Sequence, residues 1–164
     1  MSQNEDKRFL IRSQEIEKLP EYQMGHPLNP QSEIYLRSLS DLVGLQRVIL
    51  RLGRVPTGKE SFIYHAHHYE EEFVYILSGR GIAEIGEAEF EVGVGDFLGF
   101  PTPSVAHHLR NPFDADLIYL MGGERKEVEI GDFPRLGKQI IREGDQTYII
   151  DMKSKELFVP RQEN

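Results

Sequence analysis

The histidines of this chain gather in two tight groups, His65, His67 and His68 beside Glu70, Glu71 and Glu72, and then His107 with His108, while His26 stands apart in a proline-rich stretch. Residues two apart on a β-strand share a face, so the spacing His65-Ala66-His67 aims two imidazoles into one space. A carboxylate from the next apolar run can enter that space if the chain turns across residues 68–71. Glu72 would point inward together with Val74 and Ile76, whereas the opposite phase presents Glu71 with Phe73, Tyr75 and Leu77. Both phases are apolar, so alternation leaves the acid open between Glu71 and Glu72. In the run 104–110, His107 shares a face with Leu109 and His108 shares one with Arg110. The face that carries the charged Arg110 is the outer one, which turns His107 inward. Three neutral imidazoles and one carboxylate around a divalent cation would leave a net charge of about +1 and open coordination positions, a setting for binding and polarising an anionic or carbonyl substrate. Cysteine is absent, so imidazole and carboxylate are the only strong metal ligands available.

The elements that must position these side chains are short and β-like. From residue 32 onward, runs at 34–39, 45–55, 62–67, 72–77, 81–85, 88–92, 97–101, 106–110 and 117–121 are separated by Gly and Pro punctuation, the signature of a sandwich or barrel. Gly79 and Gly81 flank Arg80 at a tight turn, and Gly86-Glu87 lies between two alternating runs as a hairpin turn does. Three regions follow: residues 1–31 form an N-terminal arm, weakly helical near 13–18 and expected to lie over the barrel; residues 32–123 form the barrel; residues 124–164 form a C-terminal extension. Within the extension, 126–144 reads as charged and irregular, and 147–150 as one β-like run.

Composition narrows the function classes. With 164 residues the chain can enclose one apolar core without disulfide staples. Acidic residues outnumber basic ones 27 to 19, for a formal charge of -8, which disfavours binding to a phosphate backbone. Arg47, Arg51 and Arg54 form the one basic cluster and read as solvated strand charges. No apolar run approaches the roughly 18 residues of a membrane span, and the polar first twelve residues lack a secretory signal pattern, which points to a cytoplasmic protein.

These residues closely resemble the two motifs of the cupin superfamily. The first appears as Gly58, His65, His67, Glu72 and Gly79, the second as Gly95, Pro101, His107 and Asn111. The resemblance selects Glu72 over Glu71 and agrees on His107. Two departures stand out: Gly58 lies one residue further from His65 than usual, and Pro103 replaces a Gly with one extra residue before His107, which keeps His108 as a reserve ligand. The resemblance implies an all-β jelly-roll barrel (a double-stranded β-helix), one divalent transition metal (Fe, Mn, Zn or Ni) on His65, His67, Glu72 and His107, and a homodimer. Fold alone does not name a reaction. The layout is similar to small bacterial cupins linked to sugar-phosphate isomerisation, in which an enediolate would form while a nearby base moves the proton. Tyr64, Tyr75, Tyr119 and His108 are the candidates for that base, and Arg51, Lys59, Arg80 and Arg110 the candidates for a phosphate contact. The alternatives are an iron-dependent dioxygenase and a non-catalytic carbohydrate-binding or sensor cupin.

Overall fold

The computed structural model describes residues 8–160, and the polar start of the expected arm, residues 1–7, lies outside them. After a single helical turn, α1 (Ser13–Ile16), the chain runs through strands β1 (Tyr22–Met24), β2 (Ile34–Ser38), β3 (Val48–Val55), β4 (Lys59–Glu60), β5 (Ala66–His67), β6 (Glu72–Ser78), β7 (Arg80–Ile85), β8 (Ala88–Gly93), β9 (Phe97–Phe100), β10 (His107–Asn111), β11 (Leu117–Glu124), β12 (Val128–Phe133), β13 (Lys138–Glu143) and β14 (Gln146–Asp151). The all-β jelly-roll barrel expected from the sequence is the fold observed. One sheet has the order β1-β2-β3-β11-β6-β9 and a second the order β4-β10-β7-β8. A third sheet, β14-β13-β12-β5, is built mostly from residues beyond 124.

The core lies between the inner faces of the first two sheets. Ile34, Leu36, Val55, Ile76 and Leu117 from the larger sheet are completely buried, and Ala83, Val92 and Leu109 close the core from the smaller one. Antiparallel pairing sets their common face: Leu36 lies opposite Gly53, Val55 opposite Leu117, and Ile76 opposite Tyr119. Gly53 is required by a close approach, because a Cβ there would meet the Tyr119 ring at 2.8 Å. Asn111, the last motif residue, is buried and structural: its amide donates to the Val55 carbonyl at 2.9 Å and to Ala115 at 2.8 Å, and its oxygen accepts from the Phe113 N–H.

The turn between β6 and β7 depends on Gly79. Its φ of 76° lies in the left-handed region, and a Cβ would stand 2.2 Å from the Asp116 carbonyl oxygen. Both the backbone conformation and the contact reject a side chain. Gly79→Val is expected to destabilise the barrel by about 2–4 kcal/mol, and urea unfolding with an unchanged midpoint would contradict this account of the turn.

Two parts of the chain differ from their sequence reading. Residues 126–144 are regular: β12 and β13 pair in register from Val128↔Glu143 to Phe133↔Lys138. Their pattern is hard to see because β12 buries Glu129, Gly131 and Phe133 while leaving Val128 exposed, so burial runs against hydropathy. The basic cluster also splits. Arg54 lies on the outer face, where it pairs with Glu21 at 2.6 Å and Asp116 at 3.0 Å, whereas Arg51 lies on the inner face with its Nε buried.

Candidate metal centre

His65 and His107 are placed by the backbone. Each N–H donates to the other's carbonyl, at 3.0 and 2.7 Å, forming an isolated antiparallel bridge that puts both side chains on one face. One residue later the chain changes partner, and β5 pairs with β12 through Ala66↔Asp132 and His67↔Gly131. The loop before β10 fixes this switch: Ser104 Oγ accepts from the His67 N–H at 2.6 Å, and the Ser104 N–H donates to the His67 carbonyl at 2.8 Å. Glu72 opens β6, opposite Gly123 on β11 and Phe100 on β9.

These elements bring His65, His67, Glu72 and His107 together, each with one donor atom within 4.8 Å of the others. His65 Nε2 lies 3.1 Å from His67 Nε2, and the Glu72 Oε2 atom lies 3.1 Å from His107 Nε2, 3.3 Å from His67 Nε2 and 3.9 Å from His65 Nε2. Donors held about 2.1 Å from a common ion stand about 3.0 Å apart at right angles and about 3.4 Å apart in a tetrahedron, so the spacing fits one cation.

Tautomers make the fit chemical as well as geometric. His65 Nδ1 donates to the Ile63 carbonyl at 2.6 Å, His107 Nδ1 to the Val105 carbonyl at 3.0 Å, and His67 Nδ1 to the Glu129 carboxylate at 3.3 Å. All three acceptors are oxygens without hydrogens, so each neutral ring carries its proton on Nδ1 and turns an Nε2 lone pair to the shared point. Three converging lone pairs and a carboxylate repel one another unless a cation or a proton lies among them. Burial, with the charges of His107 and His67 adding to it, pushes His65 down to about 3, against the pull of Glu72. Burial also opposes the charged forms of His67 and Glu72, but their partners together outweigh it: the Glu72 and Glu129 carboxylates raise His67, and hydrogen bonds from His107 and His67 hold Glu72 well below the usual carboxylate range. Phe100 stacks flat on the His107 ring, 3.6 Å between centroids and 7° between planes, which leaves that ring one orientation.

The reserve ligand is elsewhere. His108 faces away from this cluster, with Nε2 3.6 Å from Glu60 and Nδ1 4.0 Å from Glu84, and burial lowers its pKa. His68 bonds Asp132 at 2.8 Å on the third sheet, and His26 packs edge-on against Phe133. Glu129, which sequence reading missed, accepts from the backbone N–H groups of His68 at 2.9 Å and Tyr69 at 3.1 Å as well as from His67. The alternation of Val128, Glu129, Ile130 and Gly131 was its available signal, as it marks a strand. Glu70, also near His67, is already paired with Arg142 and with the Lys126 N–H.

The family model described as Cupin domain matches residues 51–123, the stretch that carries all four clustered residues. A crystal structure from Acidithiobacillus ferrooxidans, of a protein provisionally designated a sugar phosphate isomerase, is 34% identical and superposes with a TM-score of 0.87 over 92% of this chain and 97% of that one. The chain belongs to the cupin superfamily. A second cupin structure, described as a sugar phosphate isomerase from Silicibacter pomeroyi, matches this cupin at 22% identity with a TM-score of 0.71, over 76% of this chain and 80% of that one, and bears on the fold alone. An uncharacterized protein of Methanocaldococcus jannaschii is 39% identical over 57 residues, a stretch that spans 35% of this cupin and 44% of the relative. Among the described residues, no helix is long and apolar enough to cross a membrane.

Proposed function

We propose that this cupin holds one divalent transition metal through His65, His67, Glu72 and His107 and acts on a small oxygen-rich substrate, with isomerisation or epimerisation of a sugar phosphate as the reaction. The carrying observation is the convergence of three Nε2 lone pairs on the Glu72 carboxylate while every Nδ1 proton is held by an oxygen. The provisional designation of the Acidithiobacillus protein supports the choice of reaction. A divalent ion there would supply Lewis acidity, which polarises a carbonyl and acidifies the adjacent C–H.

The protein's own groups divide the remaining work. Glu129 fixes the His67 tautomer, and Phe100 fixes the His107 ring. Val74, Leu98 and Met121 line a chamber of about 40 Å³ behind Glu72 and give that side of the cluster an apolar wall. Among the four candidate proton carriers, Tyr64 donates to the Gly86 carbonyl beneath Arg135, Tyr75 lies half-exposed on the outer face, and His108 sits between Glu60 and Glu84. Tyr119 alone adds a buried phenol to the chamber wall. Burial and the Glu72 charge raise its pKa, so it keeps its proton and serves as a donor to a substrate oxygen rather than as a base.

The test is elemental analysis of the purified protein, followed by incubation with aldose and ketose phosphates in heavy water under anaerobic conditions. One equivalent of metal and chelator-sensitive deuterium uptake next to the carbonyl are expected. Metal-loaded protein that neither binds nor exchanges any of these sugars would remove the isomerase reading, and a requirement for dioxygen would replace it with oxygenation.

A further inference from the structure

One arginine on the inner face of the large sheet has no partner among the described residues. Arg51 on β3 lies opposite Ser38 on one side and Met121 on the other, Met121 opposite Val74, and Val74 opposite Leu98, so the five residues form one row across the sheet and share a face. The neighbouring row holds Ile49, Gly123, Glu72 and Phe100. Arg51 therefore sits one row from a proposed metal ligand, in a row whose members toward β9, Met121, Val74 and Leu98, are apolar. Its Nε is buried without a hydrogen-bond partner, and no carboxylate forms an ion pair with it among the described residues. The other candidate phosphate contacts are all engaged: Lys59 with Glu33 at 2.9 Å, Arg80 with Glu91 at 2.9 Å and Arg110 with Glu89 at 2.5 Å.

A cavity of about 150 Å³ joins this side chain to the cluster, for its walls include Arg51, His67, Glu70, Glu72 and Gly123. Of the four acids there, Glu70 is spent on Arg142, Glu72 on the histidines and Glu124 on Lys126, and Glu71 forms no ion pair with the guanidinium. Gly123 contributes no side chain between Ile49 and Glu72, which leaves the space open from Arg51 to the ligands. A guanidinium stays charged at any physiological pH and presents a planar fork of donors suited to two oxygens of one anion. A buried N–H without an acceptor is costly, and an oxyanion supplies the acceptor.

We propose that Arg51 receives the oxyanion head group, carboxylate or phosphate, of a substrate whose remaining oxygens reach the metal centre. The assignment rests on the reading of His65, His67, Glu72 and His107 as metal ligands, and it makes Arg51 the residue that selects anionic substrates over neutral sugars.

Glycerol 3-phosphate, glycerate and glycerol share a polyol tail and differ in the head group, and calorimetric titration of each into the metal-loaded protein isolates that group. The native protein is expected to bind one of the two anions at least tenfold more tightly than glycerol, and the anion that wins identifies the head group. Arg51→Gln is expected to bring the ratio near one with metal content unchanged, and Arg51→Lys to keep part of it. A ratio that is equal in the native protein and Arg51→Gln, or a native protein that does not prefer either anion, would overturn the assignment and leave the metal centre standing. Protein that takes up no metal yet shows an Arg51-dependent preference would instead overturn the metal centre and leave the anion site.

Discussion

His107→Ala is expected to weaken metal binding more than about a hundredfold while the metal-free barrel stays folded. Its Nε2 contacts the Glu72 carboxylate at 3.1 Å, and no neighbouring side chain can substitute, because His108 points to Glu60 and Glu84 on the far side of β10. The backbone bonds between His107 and His65 do not involve the imidazole and survive the change. What the metal-free protein loses is the packing of Phe100 against the ring, an aromatic contact of about 1 kcal/mol, together with a small cavity. Competition with a chromophoric chelator measures the affinity, and thermal melting of the metal-free variant measures the fold. Equal affinity in variant and native protein would remove His107 from the ligand set.

Glu129→Ala should cost both metal affinity and stability. The Glu129 carboxylate is buried and accepts from the backbone N–H groups of His68 and Tyr69 and from His67 Nδ1. Alanine strands the Tyr69 N–H at the turn into β6, at about 1–3 kcal/mol if it stays dry, leaves the His68 N–H its bond to the Ile130 carbonyl, and frees the His67 ring to change tautomer. The expected result is a loss of about 10–100-fold in metal affinity and about 1–3 kcal/mol in the stability of the metal-free protein. Glu129→Gln retains one acceptor oxygen and should fall between the two. Metal affinity that ignores both substitutions would show that the His67 ring is oriented without this carboxylate.

The barrel and the four clustered residues were legible in the sequence because their signals are local. A two-residue spacing puts His65 and His67 on one face, and Arg110 marks the outer face of the strand that carries His107. Alternation could not choose between Glu71 and Glu72, since both phases of β6 are apolar; the outer phase exposes Tyr75 and Leu77 on the surface. What supports the cluster was not legible, because it arises from pairing across more than sixty positions. Glu129 reaches His67 only through the β12–β5 ladder, and a buried acid flanked by an exposed valine defeats a hydropathy reading. Arg51 was misread for the same reason: a charged residue on an alternating strand looks solvated until its row in the sheet is known.

The two-residue strand β5 exists because β12 lies beside it, and β12 falls beyond residue 123, where the match to the shared Cupin domain ends. The ion-binding atoms and the wall that braces them thus belong to different stretches of the polypeptide. Exchange of the terminal hairpins between relatives could retune how tightly the centre grips its ion, with every coordinating side chain untouched.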